Sequence, residues 1–209
     1  MNKPFSFHSM LRNTTLVALA ALSLGGCAAL VVGGAAVGTA LVATDRRTSG
    51  VQLEDQSIEL KAVNRIRDAV GERGHINATS YNRTVLLSGE VATEADRSAI
   101  EQSIAKIENL RSTVNELAVM GSTSLTARSN DAVLTSKVKA SYLDAKDLQS
   151  NAIKVVTERG TVFLMGRVTE REATRAADLA RGVSGVQKVV RVFEILTEAE
   201  LAALGGTKN

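Results

Sequence analysis

The sequence predicts an α+β fold: two tandem αββαβ units behind an N-terminal export segment and a small-residue tether. Three observations predict it. The pattern V-x-L-x-G-x-V occurs twice, at residues 85–91 and 162–168. Around each copy, alternating strand patterns are bracketed by apolar residues at helical three- and four-residue spacing. The only cysteine, Cys27, closes a short apolar run and opens a stretch of small residues.

The elements follow in order. In the first unit Ile58, Ala62, Ile66 and Ala69 mark a helix. Residues 76–81 and 84–91 form a hairpin turning at Asn82-Arg83. A second helix runs from Thr93 or Glu94 to about Lys106, and residues 110–119 give the last strand. In the second unit Val133 or Leu134, Val138 and Tyr142 mark the first helix, with Asn130-Asp131 as its cap. Residues 152–157 and 161–168 form the hairpin, 170–181 the second helix and 186–196 the last strand. Asp55 and Lys61 correspond to Asp131 and Lys137, and Leu110 and Val114 to Val186 and Val190. The period of about 76 residues suits tandem domains rather than a solenoid. Gly89 and Gly166, inside strands, mark a bulge or a close backbone approach, expected from the second helix crossing there.

At the N-terminus Lys3 and Arg12 precede the apolar run 14–24, then Gly25-Gly26 and Cys27. Positive start, short greasy core and small residues are the order of a secretory signal. With a cysteine at the cut, the segment resembles a bacterial lipoprotein signal. The resemblance implies removal of residues 1–26, with acyl and diacylglyceryl groups on Cys27. Ala28, rather than aspartate, follows the cysteine. By the same resemblance the protein passes to the outer membrane and faces the periplasm.

Residues 27–53 are then the acylated cysteine and a flexible tether, 54–120 the first domain, 121–128 a linker, 129–196 the second domain and 197–209 a tail. Residues 45–53 read as irregular and 198–204 as a short helix.

Composition narrows the function. With its one cysteine spent on lipid, the chain has no disulfide, so apolar cores must hold each domain. There is no Trp, and aromatics make up 3% of the chain, which argues against sugar or base pockets. Without stacking aromatics, no nucleic-acid partner is expected. His75 is the only histidine outside the signal. No nucleophile elbow, phosphate loop, metal-ligand pair or calcium loop occurs, so no enzyme is expected. Residues 54–120 hold eight basic and eleven acidic residues, a net −3, while residues 128–196 hold twelve and eight, a net +4. Such asymmetry points to one half meeting an anionic surface.

The αββαβ order, the V-x-L-x-G-x-V strands and the turn Val183-Ser184-Gly185-Val186 resemble the BON domain, a small module of bacterial envelope proteins. Asn109 stands where the first copy would carry the glycine that Gly185 supplies in the second, and Asn tolerates a left-handed backbone. With the cysteine signal and spacer, the whole resembles the dual BON-domain outer-membrane lipoproteins of the DolP-like family. That resemblance implies anionic phospholipid binding by the second domain, a role in outer-membrane integrity, and the outer-membrane protein assembly machinery as a candidate partner.

The contact is expected on the helix at residues 130–144. Val133 and Leu134 would insert, Lys137 and Lys139 would meet phosphates, and Tyr142 would sit at the interface level. Alternatively, Leu134, Val138 and Tyr142 pack on the sheet and the lysines are simply solvated. Val133 lies about 100° off that row and must face something else. A protein-interaction scaffold, with the acidic first domain facing a basic partner, is the second reading.

Overall fold

The computed structural model describes residues 45–205. Cys27, the signal and most of the expected tether lie outside the described residues.

The first unit comprises helix α1 (Ser49–Val70), strands β1 (His75–Tyr81) and β2 (Thr84–Val91), helix α2 (Glu94–Ile104) and strand β3 (Ser112–Val119). The second repeats the order: α3 (Leu125–Asp144), β4 (Ile153–Glu158), β5 (Thr161–Thr169), α4 (Glu170–Arg181) and β6 (Lys188–Leu196). A short α5 (Glu198–Gly205) follows. Each unit has one three-stranded sheet, ordered β1-β2-β3 or β4-β5-β6. The hairpin pairs are antiparallel and the last pair parallel, the second helix being the crossover.

The period-2 alternation of the central strands decides the layering. In β2, Val85, Leu87 and Val91 face the helices, packing on Ile58, Ala62 and Ile66 of α1 and Ile100 and Ile104 of α2. Leu86 faces the other way and joins Tyr81, Phe163 and Met165 in a separate cluster between the sheets. In β5, Val162, Leu164 and Val168 pack under α3 and α4. The result is four layers, helices–sheet–sheet–helices, with α1 and α3 on opposite outer faces. Polar pairs line the seam. Asn77 donates to Glu158 (3.1 Å), Lys154 Nζ to the Ser80 carbonyl (3.3 Å) and the Tyr81 hydroxyl to the Ala152 carbonyl (3.4 Å). Stepping along β1 is thus stepping backwards along β4, so these strands run antiparallel across the seam.

Both hairpins turn on two residues with positive φ, Asn82-Arg83 (48° and 64°) and Arg159-Gly160 (49° and 68°). A buried aspartate holds each turn. Asp55 accepts the amides of Asn82 and Arg83, each at 2.7 Å, and Asp131 those of Arg159 and Gly160, each at 2.8 Å. Asp131 is therefore not a helix cap, as its sequence neighbourhood suggested. Ser124 caps α3, accepting from the Ala127 amide at 3.2 Å, and half of the expected linker is helix.

Residues 45–53 are not irregular either. α1 begins at Ser49 behind a Thr48 cap, and Arg46 and Arg47 are tied into the body by ion pairs. Asn109 has φ 62°, the left-handed conformation that Gly185 (102°) adopts in the second unit. The close approach comes from the start of the neighbouring strand at Gly89 and from the short 3-10 turn (Ser150–Ala152) leading into β4 at Gly166, not from the second helix. A Cβ on Gly89 would stand 1.9 Å from the His75 carbonyl oxygen, and one on Gly166 2.4 Å from that of Ala152.

Candidate membrane-contact site

α3 has two faces of opposite character. Its inner row is Asp131, Leu134, Val138 and Tyr142. Asp131, Val138 and Tyr142 are buried. Leu134 is half-buried, and a Cβ on Gly185 would come within 2.8 Å of its Cδ2. Tyr142 is 1% exposed and its hydroxyl donates to the Ala176 carbonyl at 2.9 Å. Burial pushes the phenol above its ordinary range. Tyr142 is thus a core residue and cannot sit at a membrane interface, and Leu134 belongs to the same inward row.

The outer row had not been anticipated in full. At 100° per residue, Leu125, Ala132, Val133, Ser136, Ala140 and Leu143 share one side of α3, away from the core. Leu125, Val133 and Leu143 are 78%, 52% and 72% exposed. Leu125 and Leu143 lie five turns apart, about 27 Å along one line of the helix. No charged residue interrupts the row. Lys137 and Lys139, 200° apart, flank it on either side rather than forming one patch. Both are exposed, neither forms an ion pair among the described residues, and exposed Lys146 follows beyond the helix end. Val133 and Lys137 also edge a cleft of about 640 Å³ closed by Arg159, Ser184 and Gln187.

The sequence pattern of the BON domain matches residues 55–121 and 130–197. The chain belongs to the BON-domain family. It is 38% identical, over 90% of its own length and 98% of the relative's, to the outer membrane lipoprotein DolP of Haemophilus influenzae. This makes it a DolP-like protein with two BON domains. It is 33% identical to a 21 kDa hemolysin of Actinobacillus pleuropneumoniae, over 71% of this chain and 78% of that one. It is 27% identical to the osmotically-inducible protein Y of Escherichia coli K12, over 66% and 70% respectively.

Part of the opposite charge of the two BON domains meets across the seam. Across the seam Arg159 pairs with buried Glu90 and Lys154 with Glu59, each at 2.9 Å. In the reverse sense, Arg111 of the first BON domain reaches Glu194 of the second at 2.7 Å. The anionic surface implied by the charge asymmetry is thus partly the first BON domain itself. Of the described exposed cations without an ion pair on the second domain, Lys137 and Lys139 lie on α3, Lys146 just beyond it, Arg171 on α4 and Lys188 on β6. Among the described residues no helix is long and apolar enough to cross a membrane, and no three or more His, Cys, Asp or Glu side chains are grouped to hold a metal.

Sequence reasoning missed Leu125 and Leu143. Leu125 fell in the supposed linker, and the spacing of Leu125, Ala132, Val133, Ala140 and Leu143 becomes periodic only once the helix starts at Leu125, behind its Ser124 cap.

Proposed function

We propose that the protein is an outer-membrane lipoprotein, acylated at Cys27, whose second BON domain lays α3 along an anionic phospholipid surface and so supports envelope integrity. The uninterrupted exposed row Leu125–Val133–Leu143 between two unpaired lysines carries this reading. Such a row sinks a few ångströms into the headgroup boundary while lysine stems snorkel beside it. Each lysine adds about 1 kcal/mol near an anionic surface. A single acyl chain binds reversibly, whereas two or more signals retain a protein. The lipid chains give residence and α3 gives preference for anionic patches. The work is binding, not catalysis. The name of the Haemophilus influenzae relative supports the location.

Flotation of residues 45–209 with phosphatidylglycerol or cardiolipin vesicles, against neutral ones, tests this. Binding that weakens with salt, and is abolished by Val133→Glu or by Lys137→Glu with Lys139→Glu at unchanged circular dichroism, is the expected outcome. Equal behaviour on neutral and anionic vesicles would sink it.

A second reading, a periplasmic scaffold acting with the outer-membrane assembly machinery, is favoured by α1. Leu53, Leu60 and Val63 are exposed there, on the outer layer opposite α3. They would face the periplasm when α3 faces lipid.

A further inference from the structure

We propose that Arg46 is a positioning residue: with Arg47 it forms a strap that pins the lipid tether to the body beside the membrane-facing end of α3, so that anchor and helix engage one membrane together. The proposal rests on the membrane reading of α3.

The strap is built across both BON domains. Arg46 makes a two-pronged pair with Glu172, 2.7 Å on each prong, and donates to the Arg167 carbonyl at 2.8 Å. Arg167 returns a bond to the Arg46 carbonyl at 3.1 Å. Both side chains of the Arg46–Glu172 pair are nearly buried, at 11% and 5% exposure. Glu172 is also the third residue of the α4 capping box with Thr169, so Arg46 is locked to a rigid helix start. Arg47 turns the other way. It pairs with Asp55 at 2.8 Å and lies over the Tyr81 ring, 4.1 Å from its centre. Two adjacent side chains thus grip opposite sides of the seam at the first described residues of the chain.

The place matters as much as the grip. Asp45 and Arg47 line a cleft of about 370 Å³ together with Lys139 and Leu143 of α3. Residues 28–44 separate Cys27 from Asp45. Fully extended they reach at most about 60 Å, so the point where they join the body biases which face meets the membrane. Joining the body beside Leu143 keeps the α3 row at high effective concentration next to the surface that holds the acyl chains.

Two measurements separate the strap from the membrane reading. Trypsin cuts after arginine, and release of the N-terminal piece ending at Arg46 from the mature chain is followed by mass. Glu172→Gln keeps a capping-box residue but removes the ion pair, and cutting after Arg46 should quicken at least ten-fold. Unchanged cutting overturns the strap, whatever α3 does. Next, the acylated mature chain is placed in phosphatidylglycerol vesicles with a fluorescent probe on Leu143→Cys and a quencher in the lipid. Quenching in the parent, reduced at least two-fold by Glu172→Gln and by Arg46→Ala with both variants shown folded by circular dichroism at the assay temperature, is the expected result. Equal quenching in all three overturns the coupling. No quenching in the parent overturns the membrane reading and the coupling with it, leaving the strap to be judged by trypsin alone.

Discussion

Glu90 of the first BON domain is wholly buried and receives the Arg159 guanidinium of the second at 2.9 Å. Arg159 also donates to the Gly89 carbonyl at 3.0 Å, while Thr123 donates its amide and hydroxyl to the other Glu90 oxygen at 3.1 and 3.2 Å. The carboxylate is therefore shared between two domains and the segment that joins them. Removing one partner of a buried pair leaves an uncompensated charge, which costs about 3–5 kcal/mol. Arg159→Ala should lose that much in urea unfolding, and adding Glu90→Gln should restore part of it. A loss under about 1 kcal/mol would mean that water reaches Glu90 when the domains part.

The turn aspartates should be nearly as sensitive. Asp131→Ala strips one buried and one part-buried amide of their acceptor, at about 1.5–3 kcal/mol for each charge-assisted bond. Asp55→Ala should cost more, because Asp55 also accepts from Ser80 Oγ at 2.6 Å and holds Arg47. Thermal unfolding of the two variants gives the order, and Asp131→Ala melting below Asp55→Ala would contradict it.

These aspartates show what the sequence could and could not reveal. Their equivalence across the repeat was legible, and so were the strands, because alternation on a sheet buried on both faces leaves a dense apolar record in residues 85–91 and 162–168. Their role was not. Asp131 stands 28 and 29 residues from the amides it binds, and its neighbours read locally as a cap. The same distance problem hid Arg46, whose partner Glu172 is 126 residues away. α3 was begun too late because its first turns present Leu125, Thr126, Ser129 and Asn130 to solvent, leaving no buried period to read. Tyr142 was open to two readings because an aromatic on an amphipathic helix suits a core or an interface equally well, and only the Ala176 carbonyl decides between them.

Glycines with the same sign of φ should differ in tolerance. Gly89 (φ 109°) has the His75 carbonyl oxygen 1.9 Å from the place of a Cβ, and both partners are backbone. Gly71 (φ 63°) faces open space. Gly71→Ala should cost about 1 kcal/mol in backbone strain alone, whereas Gly89→Ala must displace β1 and should cost well over 3 kcal/mol or prevent folding. Soluble yield and melting temperature of the two variants check the ranking.

Acid should first strengthen and then weaken the fold. Burial holds the Glu158 carboxyl above its ordinary 4.5, reinforced by Glu90 and Asp131 and opposed by the Asn77 hydrogen bond and His75. Folding therefore favours its proton, and the stability it costs near neutrality returns as pH falls toward 4.5. Glu172 and Glu194 behave oppositely. Burial would raise both, but Arg46 and Thr169 at the first, and Asn82, Arg167 and Arg111 at the second, hold them below 4.5. Their contribution is complete above 4.5 and is lost as pH falls through the lowered values. Unfolding free energy should rise as pH falls from neutrality toward 4.5 and drop as it falls further. Glu158→Gln should remove the rise and keep the fall; a rise that survives it would assign the effect elsewhere.

Adjacent residues on α3 should separate membrane affinity from stability. Tyr142→Phe deletes one buried hydrogen bond, at about 1 kcal/mol, and should lower the melting temperature while leaving anionic-vesicle binding intact. Leu143→Glu changes a side chain that is 72% exposed, so its effect on stability should fall within about 0.5 kcal/mol. It puts a carboxylate on the apolar row beside Lys139, where it meets anionic headgroups and forfeits up to about 1.5–3 kcal/mol of leucine burial. Vesicle binding should drop at least ten-fold. If Tyr142→Phe weakened binding and Leu143→Glu did not, the surface would lie on the other side of the helix, against the cleft at the domain seam.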